Sequence, residues 1–149
     1  FTVASYYLSA SHYSLENYEE SLEVSRKCEE YYDLSAEYLR LISCVYDDSG
    51  DSEKAIETIN RALALDDTIP AIWYDRGVIR RDSGDLEGAI ADFKQAFALD
   101  SSLTSACHNI GSIYMHTGNM TQACYYWKMA SDLGDQDSKR LVDEYLGEQ

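Results

Sequence analysis

Proline is almost missing from this chain: Pro70 is the single one in 149 residues, and no Pro-, Gly- or Ser-rich stretch interrupts the sequence. That argues against a flexible linker between modules and points to one domain spanning residues 1–149. Positive charge is scarce as well. Twelve Lys and Arg stand against 27 Asp and Glu, for a net charge of −15, and about two-thirds of the excess lies in the first half. Such a field repels phosphate backbones, so nucleic acid is not expected as a partner. Solvated acidic helix faces account for the charge, with a basic protein partner as the alternative. No run approaches the roughly 18–20 apolar residues that cross a bilayer, and membrane insertion is not expected. The apolar opening from Phe1 to His12 lacks the basic leader and processing site of a signal peptide. Since Phe1 is not an initiator Met, the chain is read as following a cleaved segment or a longer polypeptide.

The residues that carry chemistry are few and scattered. Four cysteines (Cys28, Cys44, Cys107, Cys124) show no Cys-x-x-Cys spacing. Cys107 and Cys124 would lie on partner helices offset by about two turns, roughly 10 Å, beyond the ~7 Å reach of a disulfide. Reduced, mostly buried thiols are expected. His108 and His116 share a helix but stand about 12 Å apart along it, too far to chelate one metal. No His-Glu-x-x-His, Gly-x-Ser-x-Gly or phosphate-cradling glycine pattern occurs. No catalytic residue, cofactor or metal is therefore assigned. Asn119-Met120-Thr121 matches a glycosylation acceptor, but it falls at an interhelical turn where Asn119 has a capping role.

What the chain does contain is a repeat of 34 residues. At that offset Ala55, Ala89 and Ala123 form one column, Ala62, Ala96 and Ala130 a second, Gly50, Gly84 and Gly118 a third, and bulky Ile59, Phe93 and Trp127 a fourth. Each unit reads as two amphipathic helices. In one, Leu39, Ile42, Ser43 and Tyr46 recur at three- and four-residue steps. Asp48-Ser49-Gly50-Asp51 then breaks the pattern: Gly50 suits a left-handed helix end and Asp51 a cap for the next helix. Small residues are required where helices cross closely and bulky ones where they diverge. Short links (Leu65-Asp66-Asp67, Leu99-Asp100-Ser101) force the helices to stack in chain order. Periodicity of this kind marks a stacked helical array.

These columns resemble the tetratricopeptide repeat family. Trp73, Gly77, Gly84, Ala89, Phe93 and Ala96 fall on its signature positions, and the resemblance covers about nine-tenths of the chain. It implies an all-α, right-handed superhelical solenoid of about four helical hairpins. The repeats are placed at residues 2–33, 36–67, 70–101 and 104–134. The first is divergent, holding Ser5, Ser9, His12, Ser21, Ser25 and Cys28 in its columns. Residues 135–147 are read as a capping helix with Leu141, Val142, Tyr145 and Leu146 on one face, which makes nine helices. Arg80, where the other repeats carry Tyr46 and Tyr114, is expected to snorkel or to pair with a carboxylate.

The resemblance further implies a concave wall built from the first helix of each repeat. The candidate partner-binding residues on that wall are Tyr6, Arg40, Cys44, Asp47, Tyr74, Val78, Arg81, His108, Ser112 and Met115, with Tyr7, Leu41, Asp75 and Asn109 in a further outward column. Aromatic, Arg and Met side chains suit protein binding, although Tyr6, Tyr7 and Tyr13 would equally pack against residues upstream. A clamp for a carboxylate tail does not fit, because its positions hold Tyr6, Ala10, Leu41, Ala71 and Asp75. The leading expectation is a non-catalytic scaffold that binds a protein or peptide segment in this groove. Two alternatives are a recognition arm of a larger enzyme or of a secretion or assembly complex, and self-association through the serine-rich first repeat. The resemblance leaves cytoplasmic and periplasmic or secreted settings both open.

Overall fold

The computed structural model describes residues 2–147, the Leu146 side chain excepted. Phe1 and residues 148–149 lie outside the described residues, as does the place of Leu146 on the capping face. Among the described residues there are nine α-helices and no strand: α1 Thr2–Ser14, α2 Tyr18–Glu29, α3 Ala36–Asp48, α4 Ser52–Leu65, α5 Pro70–Asp82, α6 Leu86–Leu99, α7 Thr104–His116, α8 Met120–Asp132 and α9 Gln136–Leu146. The fold is all-α, built from four helical hairpins and a last single helix. The chain divides after Asp67 into two compact units. In the first, hairpins α1/α2 and α3/α4 pack through α2 and α3. In the second, α5/α6, α7/α8 and α9 stack in chain order.

The turns inside the hairpins follow from local chemistry. Gly50, Gly84 and Gly118 adopt φ of 89°, 88° and 80°. At each, two successive N–H groups reach back to the end of the preceding helix, as in Gly84 to Arg81 O (3.0 Å) and Asp85 to Arg80 O (2.8 Å). The next residue then caps the following helix. Asp51, Asp85 and Asn119 accept from the backbone N–H of Lys54, Gly88 and Gln122, satisfying donors that a helix start leaves orphaned. The same column in the first hairpin holds Glu16, which takes φ 60° without being glycine. A left-handed conformation costs an ordinary residue about 1–2 kcal/mol, partly offset because glycine loses more entropy on folding. Glu16→Gly is therefore expected to stabilise the protein by about 0.5–1 kcal/mol, read as a higher urea midpoint. A lower midpoint would show that the Glu16 side chain contributes more than the strain it imposes.

Side-chain sizes are matched across each hairpin at positions sixteen residues apart. A Cβ on Gly77 would come within 2.8 Å of the Phe93 ring, and one on Gly111 within 2.5 Å of the Trp127 ring. Glycine on the first helix is what admits the large ring of the second. The equivalent pair in the second hairpin is Ser43 and Ile59, both fully buried. In the first hairpin it is Ser9 and Ser25, where hydrogen bonding replaces apolar packing: Ser9 Oγ lies 2.8 Å from Ser21 Oγ and 3.0 Å from Ser25 Oγ. This buried serine cluster explains how the divergent hairpin closes without its bulky member.

In the second unit, Ala89 and Phe93 of α6 meet Ala106, Ile110 and Ile113 of α7 in one core, flanked by Tyr74, Val78 and Tyr114. Asp135 caps α9 by accepting from Ser138 N–H, and Tyr145 of α9 stacks on Trp127 at 5.8 Å.

Candidate functional site

The candidate residues sit on the first helices of the hairpins, and each unit has its own set. In the first unit, Tyr6, Arg40, Cys44 and Asp47 are all half-buried on α1 and α3. Tyr6 stands edge-on to Tyr7 and to Tyr38, with ring centroids 5.5 and 5.6 Å apart. Asp47 accepts a long hydrogen bond from Ser52 Oγ (3.4 Å). Close by, the Tyr13 hydroxyl donates to Asp48 at 2.7 Å. Burial first, and then that bond to a carboxylate, push the Tyr13 phenol well above its ordinary range. Leu41, read from its column as outward-facing, is buried, because α1 and α2 both pack against α3.

In the second unit the structure brings Tyr74 and Arg81 together through Asn109. Arg81 Nη1 donates to Asn109 Oδ1 (2.6 Å), and Asn109 Nδ2 donates to the Tyr74 hydroxyl (3.0 Å) and to Ser105 O. One amide thus joins α5 to α7 and fixes a phenol and a guanidinium side by side. Arg81 also donates to Asp82, and with five N–H groups it retains donors beyond these bonds. Tyr74 tilts against Phe93, and its body and Val78 both flank the core. Ser112 turns its hydroxyl back onto His108 O of its own helix, while Met115 is exposed.

His108 faces α9. Its Nδ1 shares a hydrogen bond with Ser138 Oγ (2.9 Å) and lies 3.6 Å from Asp135. Burial alone would raise the Asp135 carboxyl. The Ser138 backbone and hydroxyl, together with His108, outweigh it and hold the carboxyl below the usual range.

Sequence reasoning missed two groups. Asn109 stood in an outward column, but nothing marked it as the bridge. Asp92, 2% exposed, went unnoticed between Arg76 and Arg80. It receives Arg76 Nε (2.9 Å) and Nη2 (2.8 Å) and Arg80 Nη1 (2.9 Å). The arginine out of register therefore pairs with a carboxylate. The signal was available: where the third repeat has Arg76, the others have Leu8, Ile42 and Ile110.

All four cysteines are free thiols, with Cys28 and Cys107 buried; burial pushes the Cys107 thiol up to about 11. Among the described residues, no group of three or more His, Cys, Asp or Glu is placed to hold a metal ion, and no helix is long and apolar enough to cross a membrane.

Hairpins with this turn register and this glycine-to-ring packing are matched by family models described as tetratricopeptide repeat, over residues 14–68, 70–103 and 104–126. The chain belongs to the tetratricopeptide repeat family. No curated protein matches it, but solved structures of the family's fold do. The crystal structure of MamA is similar with a TM-score of 0.84 at 20% identity, over 93% of this chain and 81% of that one. YrrB, described as a TPR protein with an unusual peptide-binding site, is similar with a TM-score of 0.82 at 18% identity, over 96% and 74%. PilF of Pseudomonas aeruginosa is similar with a TM-score of 0.86 at 18% identity, over 99% and 68%. At such identities the likeness is one of fold. Tetratricopeptide repeats are generally non-catalytic interaction modules, and membership of the family supports a protein-interaction scaffold.

Proposed function

We propose that this tetratricopeptide protein is a non-catalytic scaffold that takes an extended or helical segment of a protein partner on the first helices of its hairpins. In the second unit the face offered is that of α5 and α7. The observation that carries the reading is the Arg81–Asn109–Tyr74 array. It holds a guanidinium and a phenol of α5 together through α7, a helix that also carries the exposed, adaptable Met115 and commits Ile110 and Ile113 to the core. Aromatic, Arg and Met side chains are the types enriched at protein interfaces. The peptide-binding site named for YrrB supports a peptide or protein ligand, and the net charge of −15 disfavours a nucleic acid. His108, turned to α9, contributes to the end of the stack.

The test is quantitative affinity capture from the source organism with the full chain and with an Arg81→Ala/Met115→Ala variant. A partner using this face should fall by about tenfold or more, the loss expected when interface anchors are removed. The variant's thermal midpoint should stay within a few degrees of the parent. Capture that is unchanged for every partner would remove this face from the function.

A further inference from the structure

In the first unit, α1 and the segment entering α3 enclose a cleft of about 340 Å³. Its walls are aromatic and acidic. Tyr7 stands edge-on to Tyr6 at an interplanar angle of 81°, and Tyr6 edge-on to Tyr38 at 84°, so successive rings form a corner. The corner runs from open to closed, with Tyr7 67% exposed and Tyr38 2%. Asp33 and Glu37 line the same cleft. Both are exposed, and among the described residues neither is held in an ion pair. Among the described residues, no Lys, Arg or His lines it.

The geometry points to a site for a lysine side chain of a protein partner, with its ammonium group in the tyrosine corner and its charge met by Asp33 and Glu37. Ring faces carry negative potential and attract a cation within about 6 Å of the centroid. Rings at right angles converge on a compact charge, whereas a planar guanidinium stacks best on one face. The starts of α1 and α3 oppose a cation, since Thr2, Val3 and Ser35 line the same cleft. Each amounts to about half a positive charge, so the pair stands against two full carboxylates, and at α3 the Ser35 hydroxyl already accepts from Tyr38 N–H. A neutral apolar ligand would instead leave both carboxylates without a partner beside it. The site lies wholly in the first unit, so it stands or falls apart from the α5/α7 face.

The test is an NMR titration of the full chain, at physiological ionic strength, with an acetylated and amidated Gly-Lys-Gly tripeptide and its norleucine analogue. Binding in the corner should move the lysine ε-methylene protons upfield through ring currents, and the norleucine peptide should bind more weakly. Tyr7→Ala should weaken lysine binding about two- to fivefold, and Asp33→Asn/Glu37→Gln about five- to tenfold. All three side chains are exposed, so circular dichroism of both variants should match the parent. Norleucine binding as well as lysine would overturn the proposal in favour of a merely apolar cleft. Lysine binding that neither variant alters would overturn it in favour of diffuse attraction to an acidic surface, and no binding at all would equally dispose of it.

Discussion

Replacing Trp127 with alanine is expected to lower the stability of the second unit by about 3–5 kcal/mol, the range for removing a large aromatic ring from a packed core. Three neighbours lose their partner at once. The ring is fully buried and fills the space that Gly111 leaves open, where even a methyl group would come within 2.5 Å. Its Nε1 donates to His108 O on α7 at 3.3 Å, and its face stacks on Tyr145 of α9. The cavity cannot close by collapse of α7 alone, because His108 and Ser138 hold α7 to α9 as well. Chemical denaturation followed by far-UV circular dichroism reads the loss. Hydrogen exchange should localise it to α7–α9, with the first unit less changed, since repeats are stabilised mainly by their immediate neighbours. A loss below about 1 kcal/mol, the scale of an average substitution, would mean that this junction is loosely packed.

The second large effect concerns Asp92. Asp92→Ala removes the single carboxylate that receives three hydrogen bonds from Arg76 and Arg80, whose side chains are only 14% and 27% exposed. Breaking a buried pair from one side costs about 3–5 kcal/mol because the other charge is left uncompensated. Two features reduce that here. Arg80 Nε lies 3.6 Å from Asp85, and Arg76 sits over the Trp73 ring at 4.9 Å, so both cations keep some stabilisation. A loss of roughly 2–4 kcal/mol follows. The second repeat provides the control, since it holds Ile42, Tyr46 and Thr58 where the third holds Arg76, Arg80 and Asp92. A triple variant carrying Arg76→Ile, Arg80→Tyr and Asp92→Thr should recover to within about 1 kcal/mol of the parent, because apolar packing of similar volume matches or exceeds a buried ionic cluster. If the single substitution were as mild as the triple, the cluster would be ornamental to stability.

The two cases separate what is readable in one dimension from what is not. Gly111 and Trp127 stood in aligned columns, and their size relation is evident once the 34-residue register is set. Asp92 also stood in register, but only as an anomaly. Its meaning depended on Arg76 and Arg80 lying on the facing helix at the right height. The candidate binding residues behave likewise. Their columns placed Tyr74, Arg81 and His108 on first helices, yet the register said nothing of Asn109 joining the first two or of Ser138 and Asp135 engaging the third.

The sequence by itself determined the helices, their order, the turns and the family. Those features rest on interactions within a few residues: a left-handed glycine, an Asp or Asn cap three residues from its donor, and an apolar stripe every three or four positions. Tertiary structure decided which polar side chains meet, namely Arg81 with Asn109 across 28 positions, Asn109 with Tyr74 across 35 and His108 with Ser138 across 30. Such pairings turn on how helices cross and how far each side chain reaches, and a periodic pattern encodes neither. The tyrosine corner of the first unit belongs with them, since Tyr6 and Tyr38 come edge-on to one another only when α1 has packed against α3.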